Sequence, residues 1–475
     1  MVRESVRAAA DVLVVDIDIA ALMTPPLLKK AVIRHVDQLA RDYDLILIPG
    51  ASNAAGFSAL ARELNVEIAL GPKQAYDLGL VLAALDESRL SLKEPADYII
   101  LNQRNKDAFK LLNQLELSAA FNFMIRDLKI GGNSRMKVLA EIIDAPFVDA
   151  KSKALQHIQN GADIIDIGIP AGTTEREVTR TFAEVTQVTG PRNIATSVDS
   201  LEPELICAGI NAGAELALSF TRENASEIGA LLAKRDIATV VLPDDGDVCA
   251  TVALARDYGI KKIIADPVLY PLGSGAVDSL VEYHRVRSHS SVPLFLGVGN
   301  IVELMEADSV GANALLAGFA MELGVSILFT PEHSDKTKGS VRELKIATQM
   351  MQLAHYRQGS PKDLGIDLLV LKERRRRPEY PVPAGRVLYA KDFEHPKWTP
   401  DPLGNFVIGL KDNAVFARHD TGITIEGDSA ETILDAILEL GLVSTAAHAG
   451  YLGRELKQAE IALTLGRSYT QDDTF

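Results

Sequence analysis

Between residues 136 and 330 the chain repeats one pattern eight times: a short apolar run followed by a segment with helical spacing. The eight predicted strands are Met136–Ile142, Asp163–Gly168, Ile194–Asp199, Glu215–Phe220, Thr239–Leu242, Lys262–Asp266, Pro293–Val298 and Ser326–Thr330. The clearest amphipathic helices are Ser152–Gly161, Glu175–Thr189, Pro203–Ala212 and Asn224–Lys234. Alternating strands and helices predict parallel pairing, and eight units in about 200 residues are what a closed (β/α)8 TIM barrel requires. An open doubly wound sheet is the alternative.

Two further blocks flank this repeat. Residues 1–128 alternate apolar runs with helical segments, which predicts an N-terminal doubly wound α/β domain before a barrel over residues 129–371. Its predicted elements are the strands Val12–Ile17, Leu45–Ile48, Val66–Leu70 and Tyr98–Leu101 and a helix over Pro26–Arg41. Residues 372–475 are predicted to form a proline-marked linker (Pro378, Pro381, Pro383) and a small α+β domain. Its predicted elements are the strands Phe406–Leu410 and Ala414–Arg418 and the helices Ala430–Leu440 and Leu452–Leu465.

Composition and charge exclude several classes of protein. Cys207 and Cys249 are the only cysteines, so neither a disulfide framework nor a cysteine-rich metal site is possible. The formal net charge of -15 argues against a general affinity for nucleic acid or for an anionic membrane. The apolar runs are too short to cross a bilayer, and the charged N-terminus is unlike a signal peptide. We therefore expect a soluble, cytoplasmic protein.

Polar residues at the ends of the predicted strands indicate where the chemistry lies, because barrels of this kind build their sites at that rim. The candidates are Glu141, Asp144, Asp166, Asp199, Ser219, Asp266, Asn300, Glu332 and His333. A carboxylate accepts two parallel hydrogen bonds from an amino-pyrimidinone edge, so this ring of acceptors suits a ligand rich in N–H groups. The alternatives are a structural, partnered carboxylate at Asp166 and helix caps at Asp199 and Asp266.

The segment after the eighth predicted strand has a different character. Lys336, Lys338 and Ser340 lie directly before a predicted helix, Val341–Gln358. Backbone N–H groups at a helix start, together with lysines and a hydroxyl, form a phosphate cradle in many proteins. We expect a phosphate site in this loop; a solvated surface loop is the alternative.

Three motifs resemble those of dihydropteroate synthases. They are Gly161-Ala-Asp-Ile-Ile-Asp-Ile-Gly168 at the second strand, Ser197-Val-Asp-Ser200 at the third and Ala265-Asp-Pro267 at the sixth. Over its whole length, including the ending His448-Ala-Gly-Tyr-Leu-Gly-Arg-Glu-Leu-Lys457, the chain is similar to the dihydropteroate synthase-like proteins associated with tetrahydromethanopterin biosynthesis. The resemblance implies a pterin-binding TIM barrel.

The resemblance also implies a reaction and residue roles. The family joins 6-hydroxymethyl-7,8-dihydropterin diphosphate to an arylamine and releases diphosphate. Carried over by motif, Asp199 and Asp266 bind the pterin, and Asp144 organises the diphosphate and the arylamine. Mg²⁺, with Glu141 as a candidate ligand, neutralises the leaving diphosphate. The arylamine implied for this branch is 4-(β-D-ribofuranosyl)aminobenzene 5′-phosphate, for which the loop containing Lys336, Lys338 and Ser340 is the candidate phosphate site, and a homodimer is implied as well.

Departures from the family pattern leave two alternatives open. The lysine-bearing motif expected at strand seven is replaced by Gly297-Val-Gly-Asn300, and the first strand ends in Ala140-Glu-Ile-Ile-Asp-Ala-Pro146. The strand-seven segment resembles the asparagine loop of pterin-dependent, corrinoid-linked methyltransferases. The alternatives are therefore a methyltransferase acting on methyl-tetrahydropterin and a non-catalytic pterin-binding protein.

Overall fold

The computed structural model describes residues 10–17, 19–35, 39–86, 88–374, 385–393 and 399–473. The chain divides into two compact units, Met1–Arg377 and Pro378–Phe475. The predicted linker prolines Pro378, Pro381 and Pro383 lie outside the described residues. Within those residues, no helix is both long enough and apolar enough to cross a bilayer.

The N-terminal segment packs two parallel strands against helices. Its strands are β1 (Leu45–Ile48) and β2 (Glu67–Leu70), followed by a hairpin of β3 (Phe123–Ile125) and β4 (Leu128–Ile130). Its helices are α1 (Pro25–His35), α2 (Leu39–Asp42), α3 (Phe57–Leu64), α4 (Leu78–Leu82) and α5 (Ala96–Ser118). Strands β1 and β2 pair in parallel, which confirms two of the four predicted strands.

The other two strand predictions in this segment are wrong. Residues 12–17 form no strand. The run Tyr98–Leu101 lies inside helix α5, whose buried side chains are Ala96, Ile100, Ala108 and Leu112. These positions recur at four-residue multiples, so the segment buries one face of a helix. The predicted doubly wound sheet is therefore reduced, in the described residues, to one parallel pair.

The middle of the chain forms the predicted closed barrel. Its strands are β5 (Lys137–Ile142), β6 (Ile164–Gly168), β7 (Ala195–Asp199), β8 (Leu216–Phe220), β9 (Ala238–Val241), β10 (Ile263–Ala265), β11 (Leu294–Gly297) and β12 (Val325–Thr330). Its helices are α6 (Ala150–Gln159), α7 (Glu175–Thr189), α8 (Pro203–Ala212), α9 (Ala225–Arg235), α10 (Val248–Asp257), α11 (Ala276–His289), α12 (Gly299–Val302), α13 (Ser309–Glu322) and α14 (Ser340–Tyr356). The eight strands close in the order β10-β11-β12-β5-β6-β7-β8-β9, and their pairing is parallel, so all eight predicted strands are confirmed.

The barrel interior changes from apolar to polar along the strands. One buried apolar layer is formed by Leu139, Ile164, Ala195, Leu216, Ala238, Ile264, Phe295 and Ile327. Side chains in a strand alternate between the two faces, so a residue two positions later faces the interior again. In strands β5 and β6 those residues are Glu141 and Asp166, and beyond the end of β10 the residue is Asp266. The sequence thus builds an apolar floor beneath a carboxylate-lined mouth.

The β3–β4 hairpin closes the opposite end of the barrel. Ile125 and Ile130 are almost fully buried and belong to the same apolar cluster as the interior layer. The turn of the hairpin is fixed from outside, because Arg126 forms an ion pair with Glu215, which directly precedes β8. The hairpin therefore acts as a plug at the amino ends of the strands.

A buried network of charges joins helix α5 to the barrel. The guanidinium of Arg135 donates to both carboxylate oxygens of Asp163, at 2.8 and 3.1 Å, and Lys345 Nζ donates to Asp163 Oδ1 at 2.7 Å. Lys137, only 1% exposed, donates to Glu116 Oε1 at 2.8 Å. Arg135 and Lys345 hold the pKa of Asp163 well below its usual range, since they favour the charged carboxylate although burial opposes it.

The C-terminal unit is a small α+β module, as predicted. Strands β13 (Phe406–Lys411), β14 (Ala414–His419) and β15 (Thr424–Gly427) form an antiparallel sheet, packed against α15 (Ala430–Glu439) and α16 (Ala446–Leu465). The third strand was not predicted. Asp401 accepts the backbone N–H groups of Ser444 and Thr445 and contacts His448 Nδ1 at 3.1 Å, so His448 has a structural partner in this unit.

Candidate active site at the mouth of the barrel

Three carboxylates meet at the ends of adjacent strands β5, β6 and β7. Glu141, Asp166 and Asp199 each offer one carboxylate oxygen, and these three oxygens lie within 4.8 Å of one another. The strand register brings them together, because Glu141 pairs with Asp166 and Gly168 pairs with Asp199. Sequence analysis placed each of the three at the rim, and the structure shows that they form one cluster.

Asp166 is the deepest member of this cluster. It has no solvent exposure, and Ser197 Oγ donates a hydrogen bond to its Oδ1. Its other oxygen, Oδ2, is buried and has no hydrogen-bond partner. Burial, followed by the charges of Asp199 and Glu141, raises the pKa of Asp166 well above its usual range. An unpartnered buried carboxylate oxygen is costly, so this site calls for a proton or a cation.

Glu141 lies at a half-buried position beside two like charges. Burial raises its pKa to about 7, and the charges of Asp199 and Asp144 add to the effect. The side chain has room because Gly168 lies beside it: a Cβ added at Gly168 would approach Glu141 Oε1 to 2.7 Å. Asp144 is exposed, with a left-handed backbone (φ 50°). Glu141 and Asp144, which were both predicted at the end of the first barrel strand, therefore lie near each other at the mouth.

Asp199 is oriented by residues at the end of β8, the fourth strand of the barrel. Ser219 Oγ donates to Asp199 Oδ1 at 3.0 Å. Ser219 has a left-handed φ of 70°, and its carbonyl accepts a hydrogen bond from Asn224 Nδ2 at 2.8 Å. Asn224 Oδ1 also accepts the N–H of Thr221, three residues earlier in the chain, at 3.0 Å. Burial raises the pKa of Asp199, although the Ser219 hydroxyl favours the charged form.

Asp266 has a different set of partners. Its Oδ1 accepts the hydroxyl of Tyr283 at 2.6 Å and the N–H of Val268 at 2.8 Å. The Tyr283 hydroxyl, which is fully buried, also lies 2.8 Å from the carbonyl oxygen of Phe295. Burial raises the pKa of Asp266 to about 6, against the opposing effect of these donors. The Tyr283 hydroxyl thus has two acceptors within reach, Asp266 Oδ1 and the carbonyl oxygen of Phe295.

The loop after β10 is strained next to this carboxylate. Val268 has a φ of 69°, which β-branched residues rarely adopt. Its N–H bond to Asp266 holds this conformation, and Asn300 Nδ2 donates to the neighbouring carbonyl of Leu269 at 2.8 Å. Asn300 therefore stabilises the loop after β10, the sixth strand of the barrel. Strain of this kind is concentrated at functional sites in proteins.

Part of the predicted phosphate cradle after β12 has partners within the protein. The carboxylate of Glu332 accepts the N–H groups of Gly339 and Val341 at the start of helix α14. Ser340 is fully buried, and its hydroxyl accepts a hydrogen bond from Asn313 Nδ2 at 3.0 Å. Two backbone donors and the hydroxyl of the predicted cradle are therefore bonded to other residues of the protein.

The remaining residues of this loop also have other surroundings. Lys336 Nζ pairs with Glu306 at 2.9 Å, and Lys338 and His333 are exposed. The backbone N–H of His333 donates to Glu303 at 2.7 Å. The buried side chain of His157 connects this loop to strand β5. Its Nδ1 lies 3.7 Å from Glu332 Oε2, and the ring also hydrogen-bonds the backbone of Glu141.

The carboxylate cluster has the donor chemistry of a hard-cation site. All three residues offer carboxylate oxygens, and the buried Oδ2 of Asp166 accepts no hydrogen bond. Mg²⁺ and Ca²⁺ prefer carboxylate oxygens, whereas Zn²⁺ and Cu²⁺ sites in proteins favour histidine or cysteine. The residues present therefore fit a magnesium-type ion.

Two family models match parts of the chain. Residues 141–253 match the family model of pterin binding enzymes, a range that begins at Glu141 and includes Asp166 and Asp199. Residues 400–472 match the family model named PterinBD-DUF4346. An uncharacterized protein of Methanocaldococcus jannaschii, MJ0107, is 32% identical, with 97% of this chain and 94% of that protein covered. This chain belongs to the same family as MJ0107. Part of its barrel, residues 141–253, is similar to pterin binding enzymes.

Solved dihydropteroate synthases resemble the barrel at lower identity. The enzyme from Thermus thermophilus is 22% identical with a TM-score of 0.38, covering 47% of this chain and 95% of its own. The Yersinia pestis enzyme with a pterine-sulfa conjugate is 21% identical with a TM-score of 0.39, covering 49% of this chain and 99% of its own. The fold assignment for this member of the MJ0107 family rests on its own closed barrel.

Sequence reasoning missed several residues that shape the mouth. Tyr283 lies in the middle of helix α11, where an aromatic residue is indistinguishable by pattern from a core residue. Ser197 was quoted as part of a motif without a role, although its spacing of two from Asp199 places both on the inner face of β7. Asn224 directly precedes helix α9, a position at which asparagine is typical of a helix cap, and its side chain holds the backbone of Ser219.

Proposed function

We propose that this protein is a transferase that binds a reduced pterin at the barrel mouth and joins it to an arylamine, releasing diphosphate. The main support for the proposal is that Asp199 and Asp266 lie on the inner face of the barrel, directly above its apolar interior. The flat edge of an amino-pyrimidinone carries two N–H donors in line, which match the two oxygens of a carboxylate. The apolar layer beneath supplies a surface for the ring.

The reaction makes one bond and breaks one. The arylamine nitrogen attacks the methylene carbon attached to C6 of 6-hydroxymethyl-7,8-dihydropterin diphosphate, and the carbon–oxygen bond to the diphosphate breaks. The amine loses one proton as diphosphate leaves. Asp199 and Asp266 hold the pterin ring in place, and Asp144, exposed beside Glu141, is the residue proposed to organise the diphosphate and the arylamine. Positioning of two bound reactants is itself a large source of rate enhancement.

A Mg²⁺ ion held by Glu141 and its neighbours would supply positive charge that stabilises the leaving diphosphate. The finer proposals follow the resemblance: the amine is 4-(β-D-ribofuranosyl)aminobenzene 5′-phosphate, the pathway is tetrahydromethanopterin biosynthesis within one-carbon metabolism, and the protein is a cytoplasmic homodimer. Glu332 accepts two backbone N–H groups of the loop after β12, so the exposed Lys338 is the donor of that loop proposed for the phosphate of this amine.

Diphosphate release tests the proposal directly. Purified protein is incubated with Mg²⁺, the pterin diphosphate and the amine, and diphosphate is followed by a coupled assay. We expect amine-dependent release that falls at least 100-fold in Asp199→Asn, because the carboxylate that holds the pterin is lost. The matched control is Asp236→Asn, which removes a carboxylate that pairs with Lys262 away from the mouth. Pterin binding without any diphosphate release would contradict the condensation reaction.

The affinity for the pterin is expected to depend on pH through Asp266. Its raised pKa of about 6 means that the accepting carboxylate predominates above pH 6 and is progressively protonated below it. We therefore expect the dissociation constant to rise about tenfold for each pH unit below that value. Tyr283→Phe removes a donor to the carboxylate, so it should move the midpoint to higher pH. Fluorescence titrations of the pterin at several pH values measure both effects, and a midpoint unchanged by Tyr283→Phe would contradict the assignment to Asp266.

Methyl transfer from a methyl-tetrahydropterin is a second candidate. Among the described residues, no lysine or arginine forms an ion pair with Glu141, Asp166 or Asp199, whereas a diphosphate is usually held by basic side chains or a metal ion. A methyl donor without a diphosphate needs none. Transfer of the methyl group to a cob(I)alamin, followed by its absorbance spectrum, distinguishes this reaction from condensation.

A further inference from the structure

His157 is a buried polar residue to which neither the fold nor the proposed pterin contacts give a role. It lies in the last turn of helix α6, and only 6% of its surface is exposed. Its ring donates a hydrogen bond to the backbone carbonyl of Glu141, whereas Nδ1 has no hydrogen-bond partner. A buried ring nitrogen without a partner costs free energy. An apolar side chain would fill the same position without that cost, so the imidazole points to a role other than packing.

The unpartnered nitrogen faces the loop after β12. Nδ1 lies 3.7 Å from Oε2 of Glu332, whose side chain is only 5% exposed. This distance is too long for a hydrogen bond. Burial, with a smaller effect from the charge of Lys153, lowers the pKa of His157 to about 4, so the ring is neutral near pH 7. The neutral ring therefore limits, by its bulk, how far the Glu332 carboxylate can move towards helix α6.

Glu332 determines the position of the loop that carries Lys338. Its carboxylate accepts the N–H groups of Gly339 and Val341 at the start of helix α14. Its backbone has a left-handed φ of 45°, which residues other than glycine rarely adopt and which persists only where surrounding contacts hold it. Because Lys338 directly precedes Gly339, a shift of the Glu332 carboxylate also moves the lysine.

His157 bridges two elements beyond the point where strand pairing ends. Strands β5 and β12 are neighbours, and their last paired residues are Ala140 and Thr330. Glu141 and Glu332 lie beyond these residues and are not paired with each other. The imidazole supplies a connection there, because it is bonded to the carbonyl of Glu141 and lies against Glu332. It therefore fixes the loop after β12 relative to the end of β5.

We propose that His157 is a positioning residue: it sets the position of Lys338 relative to Glu141 and so aligns the phosphorylated amine with the diphosphate end of the pterin. This inference rests on the proposed function, in which Lys338 binds the phosphate of the amine and Glu141 lies on the diphosphate side. His157 touches neither substrate in this arrangement, and its effect is transmitted through Glu332. Misplacement of a reactant by about 1 Å can lower the rate about 100-fold.

Amide hydrogen exchange of the full-length protein tests the position of the loop without any substrate. His157→Leu fills the space of the ring but has no N–H, so we expect exchange in the peptide from Glu332 to Val341 to be about fivefold faster than in the wild type. His157→Gln keeps an N–H that can reach the carbonyl of Glu141 and should stay close to the wild type. His284→Leu, at an exposed position of helix α11, is the matched control. Equal exchange in His157→Leu and the wild type overturns the proposal.

Steady-state kinetics of diphosphate release tests the alignment. We expect His157→Leu to raise the KM for the phosphorylated amine about tenfold and to leave the KM for the pterin diphosphate near that of the wild type. A general loss of structure would change both values. The double variant His157→Leu/Lys338→Ala should be no weaker than Lys338→Ala alone, because the histidine acts through the lysine. Additive losses, or equal changes in the two KM values, would contradict the proposal.

The two experiments separate the possible failures. A wild type that releases no diphosphate contradicts the proposed function, and with it the alignment of two substrates, whereas the exchange experiment still reports on the loop. An active wild type with the same kinetics as His157→Leu contradicts only the role of His157. Thermal unfolding of each variant confirms that its barrel is folded.

Discussion

Asp266→Asn is expected to raise the dissociation constant for a reduced pterin by about 100-fold. A hydrogen bond to a charged group contributes about 1.5–3 kcal/mol, and the carboxylate is proposed to accept two of them. Asparagine keeps the size of the side chain and one acceptor, but its NH₂ group faces a pterin N–H with another donor. The barrel fold should be unaffected, because the Val268 N–H still finds an acceptor at Oδ1.

Isothermal titration of the pterin into wild type and variant measures this change. Asp244→Asn is a suitable control, since Asp244 pairs with Arg222 at the exposed edge of the rim. Its affinity for the pterin should match that of the wild type. An Asp266→Asn protein that binds pterin as tightly as the wild type would remove this residue from the pterin site.

Asp163→Asn is expected to lower the free energy of unfolding of the unit Met1–Arg377 by about 3–5 kcal/mol. Removing one partner of a buried ion pair leaves the other charge uncompensated, and here two cations, Arg135 and Lys345, lose the same carboxylate. The side chain of Asp163 is only 9% exposed, so water cannot replace it. The loss also weakens the attachment of helix α5, which reaches the same network through Glu116.

Urea unfolding followed by circular dichroism measures this loss. Asp236→Asn is the matched control, because its ion pair with Lys262 is largely solvent-exposed and such pairs contribute about 0–1 kcal/mol. The control should unfold within that margin of the wild type. Equal stability of the two variants would show that the buried network contributes no more than a surface pair.

The barrel was predictable because its signal is repeated and local. Each strand is a short apolar run, each helix shows its own period, and eight repeats leave few alternatives. The strand at Tyr98–Leu101 was predicted wrongly for a related reason. A short apolar run has the same sequence pattern in a buried strand and in one turn of a buried helix. Here the helix is recognised only because Ile100, Ala108 and Leu112 are buried on one face of α5.

The individual site residues were predictable, whereas their grouping was not. Glu141, Asp166 and Asp199 stand at strand ends in the sequence, but their convergence depends on the pairing register between β5, β6 and β7. The loop after β12 shows the converse. Its lysines, hydroxyl and helix start indicated a phosphate, yet Glu332, seven residues before Gly339, folds back to accept the same donors. A sequence pattern shows which donors exist, and the fold decides which acceptor reaches them.

The β3–β4 hairpin has a consequence for ligand traffic. Because Ile125 and Ile130 fill the end of the barrel opposite the carboxylates, a ligand in the interior exchanges with solvent through the loops that follow the strands. For the proposed reaction, substrate and product would then use the same side of the barrel, the side on which the carboxylates lie.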